Sequence, residues 1–200
     1  MSDHYFSATP NAPERRRKIT ADLWGTEVGL ITGAGVFSPD GLDRGTAILL
    51  RASPIPSGQP RLLDLGCGYG PITVALALHC PDAMIDAVDS NERAVALCRE
   101  NARALGVAQR VAVGLPEEFD PATRYDEIWS NPPIRIGKEA LHSLLLTWLP
   151  RMTPNGVARL VVGKNLGADT LQAWLTGQGY DCSRVASAKG FRVLEVRTSG

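Results

Sequence analysis

Three short stretches hold the residues best suited to chemistry. In the first, Arg61-Leu62-Leu63-Asp64-Leu65-Gly66-Cys67-Gly68-Tyr69-Gly70-Pro71-Ile72-Thr73, an apolar run ending in an acid passes into alternate glycines and then into an amphipathic segment. That pattern reads as a buried strand, a tight turn and a helix. The glycines permit positive φ and close approach of a ligand, and the N–H groups opening the helix face the crevice at the strand's C-terminal end. The spacing is Gly-x-Gly-x-Gly, not the Gly-x-Gly-x-x-Gly of pyrophosphate loops. By itself it fits an ordinary strand-to-helix turn or a nucleotide site as well as any other ligand loop. The second stretch, Met84-Ile85-Asp86-Ala87-Val88-Asp89, is another strand ending in an acid. It lies about 20 residues past the glycines, where a carboxylate can accept hydrogen bonds from ribose hydroxyls. The third, Tyr125-Asp126-Glu127-Ile128-Trp129-Ser130-Asn131-Pro132-Pro133-Ile134, sets an Asn-Pro-Pro turn at the end of a later strand.

In this order and at these intervals the three stretches resemble class I S-adenosylmethionine (SAM) dependent methyltransferases. Asp64 with the glycine loop is similar to motif I, which holds the amino-acid part of the cofactor. Asn131-Pro132-Pro133-Ile134 is similar to the Asn-Pro-Pro-x motif IV of enzymes acting on exocyclic or amide nitrogens. Four more places narrow the resemblance: His4-Tyr5-Phe6-Ser7; Gly35-Val36-Phe37-Ser38 with Leu42-Asp43-x-Gly45-Thr46; the run from Asn131 through Arg135, Gly137, Lys138 and Glu139; and Lys189-Gly190-Phe191. Together they resemble small, single-domain relatives of the small-subunit ribosomal RNA guanine-N2 methyltransferase family. Larger members carry an extra, degenerate N-terminal copy that aids RNA binding; this chain is expected to have the catalytic copy alone.

The resemblance implies SAM as cofactor, with Phe37, Asp64, Gly66, Cys67, Gly68, Gly70, Asp89, Ser90, Leu115 and Asn131 around it. It implies catalysis at Asn131, Pro132, Pro133 and Ile134. An exocyclic amine conjugated into a purine ring is a poor nucleophile until acceptors hold its N–H groups and redirect the lone pair. The side-chain oxygen of Asn131 and the carbonyl of Pro132 can supply two such acceptors, because the Pro-Pro turn fixes their direction. In-line attack on the sulfonium methyl then needs mainly positioning, and no dedicated base. Ile134 stands where many relatives have a stacking aromatic, so Phe37 or Phe191 could stack on the base, or could simply pack in the core. Arg135, Lys138, Lys164, Lys189 and Arg192 follow strand ends or turns and could form a local phosphate patch or be solvated charges. Cys67, inside the glycine loop, fits the role of a small residue in a tight turn better than that of a nucleophile.

The alternation of strands and helices from residue 61 calls for a doubly wound, seven-stranded and mostly parallel α/β sheet, Rossmann-like, with right-handed crossovers. Strands end at Asp64, Asp89, Gly114, Asn131 and Gly163, with helices to about His79, over Asn91–Leu105, and from about Gly137 to Pro150. Tyr180–Ala186 and Phe191–Arg197 are too close for a helical crossover, so they must be antiparallel, one strand being inserted near the edge. Residues 1–60 read as an N-terminal arm, a hairpin and a cap helix, and residues 61–200 as the catalytic core of the same structural domain. The arm, to about residue 25, carries Arg15-Arg16-Arg17-Lys18 with little apolar periodicity, and reads equally as a solvated arm or a phosphate-contacting one. The hairpin pairs Val28–Thr32 with Val36–Ser38, and the cap helix runs from Asp40 to Leu50.

Composition bounds the alternatives. At 200 residues with 44% apolar and 21% charged content, the chain is one globular domain with a sizeable core. It shows no bilayer-length apolar run and no signal-peptide pattern, so a cytoplasmic location is expected, with no membrane partner. Four scattered cysteines and three histidines without ligand spacing give neither a disulfide framework nor a metal site. Twenty-one basic against 21 acidic residues excludes broad phosphate neutralisation, so contact with ribosomal RNA or an assembling small subunit must use a local patch. Two other functions remain open: N-methylation of a protein glutamine or a small-molecule amine, and a non-catalytic SAM- or RNA-binding module. Oligomeric state cannot be read from the sequence.

Overall fold

The computed structural model describes residues 16–36, 38, 41–133 and 136–199. The His4-Tyr5-Phe6-Ser7 motif, Arg15, Phe37, Ile134 and Arg135 lie outside the described residues. A two-stranded hairpin, β1 (Arg16–Leu23) and β2 (Thr26–Gly33), precedes α1 (Arg44–Ala52). There follow β3 (Arg61–Leu65), α2 (Pro71–His79), β4 (Met84–Val88), α3 (Glu92–Ala104), β5 (Val111–Gly114) and β6 (Tyr125–Ser130). The chain ends with α4 (Lys138–Trp148), β7 (Met152–Gly163), α5 (Ala168–Gly177), β8 (Tyr180–Ala188) and β9 (Phe191–Thr198).

Strands β3 to β9 form one seven-stranded sheet in the order β5-β4-β3-β6-β7-β9-β8. All neighbouring pairs are parallel up to β7, and β9 runs antiparallel to both β7 and β8. The chain winds outward from β3 in one direction through β4 and β5, and then in the other through β6 and β7. The crevice between β3 and β6 is therefore the switch point, where loops leaving the strand C-termini diverge and leave room for a ligand. Both sheet faces are covered. Leu62, Ile72, Leu76, Ile85 and Trp129 lie in one apolar cluster, and Leu63, Leu65, Ile128, Leu145, Trp148 and Leu160 in another. Among the described residues no helix is long and apolar enough to cross a membrane.

The structure corrects four expectations. Residues 16–23 are a paired strand, not an unpatterned arm: Ile19, Ala21 and Leu23 turn inward at alternate positions, while Arg16, Arg17 and Lys18 at its start are exposed. The hairpin accordingly pairs β2 with β1 through Trp24-Gly25, both at positive φ (51° and 85°), and not with Val36–Ser38. Tryptophan is disfavoured there by its Cβ. Its ring is compensated by edge contacts with His79 and Trp129, and its Nε1 donates to the Leu50 carbonyl at 2.6 Å. Helix α1 begins after Asp43, whose side chain accepts from the Thr46 amide at 3.0 Å and caps the first turn, so Leu42 is not part of it, and the expected start at Asp40 lies outside the described residues. Helix α2 is not amphipathic: every residue from Pro71 to Ala77 is buried, because the helix lies between the sheet and neighbouring helices. Asn101 on α3 ties the hairpin to this core, accepting from the Ile31 amide at 2.7 Å and donating to the Ile31 and Tyr69 carbonyls at 2.8 Å.

Candidate functional site

The loops leaving β3, β4 and β6 converge on the switch point. Gly66, Gly68 and Gly70 have φ of 77°, 57° and 92°, so the loop requires the freedom only glycine has. The Gly66 and Cys67 amides donate to the Val88 carbonyl at 2.8 and 3.0 Å, fastening the loop to the end of β4. A Cβ at Gly66 would stand 3.8 Å from Pro133, which places the Asn-Pro-Pro turn directly across the loop. Ser130 reinforces that approach, its hydroxyl donating to the Leu65 carbonyl at 2.6 Å. Gly70 has a second reason to be glycine, since a Cβ there would come within 2.6 Å of the Cys98 sulfur.

Asp64 is wholly buried. Its Oδ2 accepts from the Thr73 amide (2.9 Å) and hydroxyl (2.5 Å), while Oδ1 is buried with no partner among the described residues. An unpaired buried carboxylate oxygen is costly, and here burial pushes the carboxyl up to about 7. Asp89 is half-buried; its Oδ2 accepts from Gly68 N–H and its Oδ1 from Asn91 N–H, each at 2.9 Å. Burial again raises its carboxyl above the usual range, against the lowering effect of these backbone donors. Cys67 is buried, and contact with Cys98 followed by burial drives its thiol upward, the opposite of what an activated nucleophile needs.

Asn131 is half-buried, and its amide nitrogen donates to Asp43 Oδ1 at 2.6 Å and to the Thr46 hydroxyl at 3.1 Å. Among the described residues nothing donates to its side-chain oxygen, which is left as an acceptor at the crevice. Pro132 is buried and Pro133 half-buried, and the Pro133 carbonyl accepts from Ile136 N–H at 3.1 Å as the turn runs on towards α4. Ser90 is exposed at the end of β4. Leu115 is half-buried, with its amide donating to Glu118 Oε2 at 2.6 Å.

The basic residues divide. The Lys164 amide donates to the Gly190 carbonyl at 2.7 Å, which brings exposed Lys164 and Lys189 together beside the end of β7. Lys138 is exposed at the first turn of α4, just after the Asn-Pro-Pro turn. Arg192 does not join a phosphate patch: its side chain is largely covered and ion-paired with Asp169. Phe191 is half-buried and lies against helix α1, its ring edge 3.0 Å from where a Gly45 Cβ would be. Sequence reasoning missed Asp43 and Thr46 as parts of this site. The sequence names them only within the stretch Leu42-Asp43-x-Gly45-Thr46 that carries the family resemblance, with no role attached.

The fold and this crevice define a class I SAM-dependent methyltransferase. The chain belongs to the methyltransferase small domain family, whose description matches residues 27–195. It is 31% identical over 200 residues to "Uncharacterized protein YbxB" of Bacillus subtilis, covering 98% of this chain and 99% of that one. It is 36% identical over 170 residues to the ribosomal RNA large subunit methyltransferase G of Ectopseudomonas mendocina (83% of this chain, 42% of the relative). It is 34% identical over 146 residues to the ribosomal RNA small subunit methyltransferase C of Shewanella pealeana (70% and 41%). The chain thus spans less than half the length of these two enzymes. A solved T. thermophilus 16S rRNA N2 methyltransferase (RsmC) in complex with AdoMet and guanosine superposes with a TM-score of 0.77 at 23% identity, over 94% of this chain and 52% of that one.

SAM is the cofactor, and the residues present suit it. The orphaned Asp64 oxygen is a fitting partner for a cationic amino group, and the glycine loop leaves open space beside Gly68, where a Cβ would meet nothing within 4 Å.

Proposed function

We propose that this protein methylates the exocyclic N2 amine of a guanine in small-subunit ribosomal RNA, in the cytoplasm. One observation carries the reading: Asn131 has its amino end tied back to Asp43 and Thr46, so its oxygen is the group offered at the crevice. An acceptor there suits an N–H-bearing nucleophile and does not suit a carbonyl or a phosphate oxygen. The relatives that act on ribosomal RNA support the substrate class, as do the exposed Lys164 and Lys189, whose backbones meet beside the end of β7.

On this reading Asp64 holds the cofactor's amino group and Asp89 its ribose hydroxyls, with the glycine loop packed against it. Bound SAM would supply an electrophilic methyl on a sulfonium, the S–CH3 bond breaking as the new C–N bond forms and its electron pair staying on sulfur, which leaves as a neutral thioether. Asn131 Oδ1 and the Pro132 carbonyl accept the two N–H groups of the target amine and turn its lone pair out of conjugation, towards the methyl. As the C–N bond forms, positive charge grows on the amine and both acceptors bind it more strongly, which is where the rate gain arises. The surplus proton leaves to solvent. Lys164, Lys189 and Lys138 hold the RNA backbone while the base enters, and they carry no base specificity themselves.

The test is transfer of labelled methyl from SAM to small subunits, free ribosomal RNA and protein fractions taken from cells lacking the gene. Label in small-subunit RNA is the expected result. Label confined to protein or small molecules would overturn the reading.

A further inference from the structure

The contacts of Asp43 reach beyond its place at the start of a helix. Its Oδ1 accepts from the Thr46 amide at 3.0 Å, which caps α1, and the same oxygen accepts from Asn131 Nδ2 at 2.6 Å, across 88 residues of sequence. Thr46 Oγ1 takes the same amide nitrogen at 3.1 Å. Gly45 makes the arrangement possible: a Cβ there would stand 2.9 Å from Asp43 Oδ1 and 3.0 Å from the Phe191 ring. The incoming turn is held as well, the Gly41 carbonyl accepting from the Ser38 and Tyr69 hydroxyls at 2.8 and 3.1 Å.

A carboxamide has two chemically opposite ends of nearly equal size, and which one faces a substrate is set by what the other end meets. A carboxylate can only accept. We propose that Asp43, assisted by Thr46, is a positioning residue that forces Asn131 to present its oxygen, never its amino group, to the acceptor amine. The anion does more than orient. An N–H donating to a carboxylate makes the amide oxygen at the far end more electron-rich, so Asn131 becomes a better acceptor as the amine turns cationic. The inference rests on the reading of Asn131 as the group that holds the amine.

Two variants separate this role from helix capping, since serine and asparagine both cap well. Asp43→Ser keeps a capping oxygen but is too short to reach Asn131. Asp43→Asn keeps the reach and loses the charge. Asp43→Ser is expected to lower kcat by about tenfold or more, with melting temperature, SAM affinity and KM for RNA near the parent's, and Asp43→Asn to recover a large part of the rate. In an Asn131→Ala background, Asp43→Ser is expected to cost nothing further, because the residue it acts through is gone. Parental kcat in Asp43→Ser, with Asn131→Ala inactive, would overturn the inference alone. Losses that multiply in the double variant would overturn it too, by showing that Asp43 acts independently of Asn131. Parental transfer by Asn131→Ala would overturn the underlying reading and this inference with it. Should Asp43→Ser fail to fold, Asp43→Asn decides: a kcat equal to the parent's, or a loss confined to KM, contradicts the charge-assisted role.

Discussion

Asp64 gives the sharpest quantitative prediction, because one oxygen of its carboxylate is satisfied and the other is not. Oδ2 accepts twice from Thr73, Oδ1 is buried with no partner among the described residues, and burial raises the carboxyl to about 7. A folded-state pKa above the unfolded value means that the folded chain holds this proton more tightly. The group's stabilising contribution is therefore complete below about pH 4 and lost as pH rises through about 7. A cationic amino group set against Oδ1 reverses that balance by favouring the ionised form. If SAM binds only the carboxylate, the competent fraction falls from about one half at pH 7 to about one tenth at pH 6, so affinity should drop roughly fivefold over that unit. The cofactor's own amino group stays protonated in this window, its ordinary value being about 7.7–8.0. Calorimetric titration at several pH values measures the slope. Asp89 is raised by burial as well and could add to the slope, so the control is Asp64→Asn, which removes the Asp64 contribution alone. That variant should bind SAM more weakly at pH 7 with a flatter pH dependence, while the free protein melts higher at pH 8. An identical slope in parent and variant would refute the reasoning.

Three further outcomes follow from the same geometry. Asp89→Ala removes the proposed ribose partner and the acceptor of Gly68 N–H, and should weaken SAM binding by about one to two orders of magnitude in calorimetry without unfolding the domain. Asn131→Ala should bind SAM almost normally yet lose about 10²–10³ in turnover in single-turnover assays, the size typical of a lost preorganised polar group. Removing the charges of Lys164 and Lys189 together should weaken RNA binding and flatten its salt dependence while leaving SAM affinity alone; an unchanged salt slope returns them to ordinary surface charges.

From β3 onward the fold was legible because its strands are apolar runs bounded by breakers and its helices α3 and α4 show a clear buried face. The short link at Lys189-Gly190 also forced the antiparallel end. Strand β1 was hidden because only Ile19, Ala21 and Leu23 alternate inward, amid a basic run that reads as solvated. The Trp24-Gly25 turn was hidden because tryptophan is a poor signal for a left-handed position; packing on His79 and Trp129 holds it there. Strand β7 already starts at Met152, which the sequence hides because Pro154 and Gly156 read as breakers, and its pairing with β6 is irregular between Tyr125 and Glu127. Within the site, Asp64, the glycines and Asn131 announce themselves by local spacing. The link from Asp43 to Asn131 does not, because two side chains so far apart in sequence meet only once α1 has docked against the sheet.

The most direct test of the central claim is mass-spectrometric analysis of nucleosides from small-subunit ribosomal RNA, purified from cells lacking the gene and from the same cells carrying the parental gene or the Asn131→Ala variant. N2-methylguanosine at one additional site is expected only where the parental gene is present. Identical nucleoside profiles in all three, or a gained methyl group on a ring nitrogen, a ribose or adenine, would contradict it.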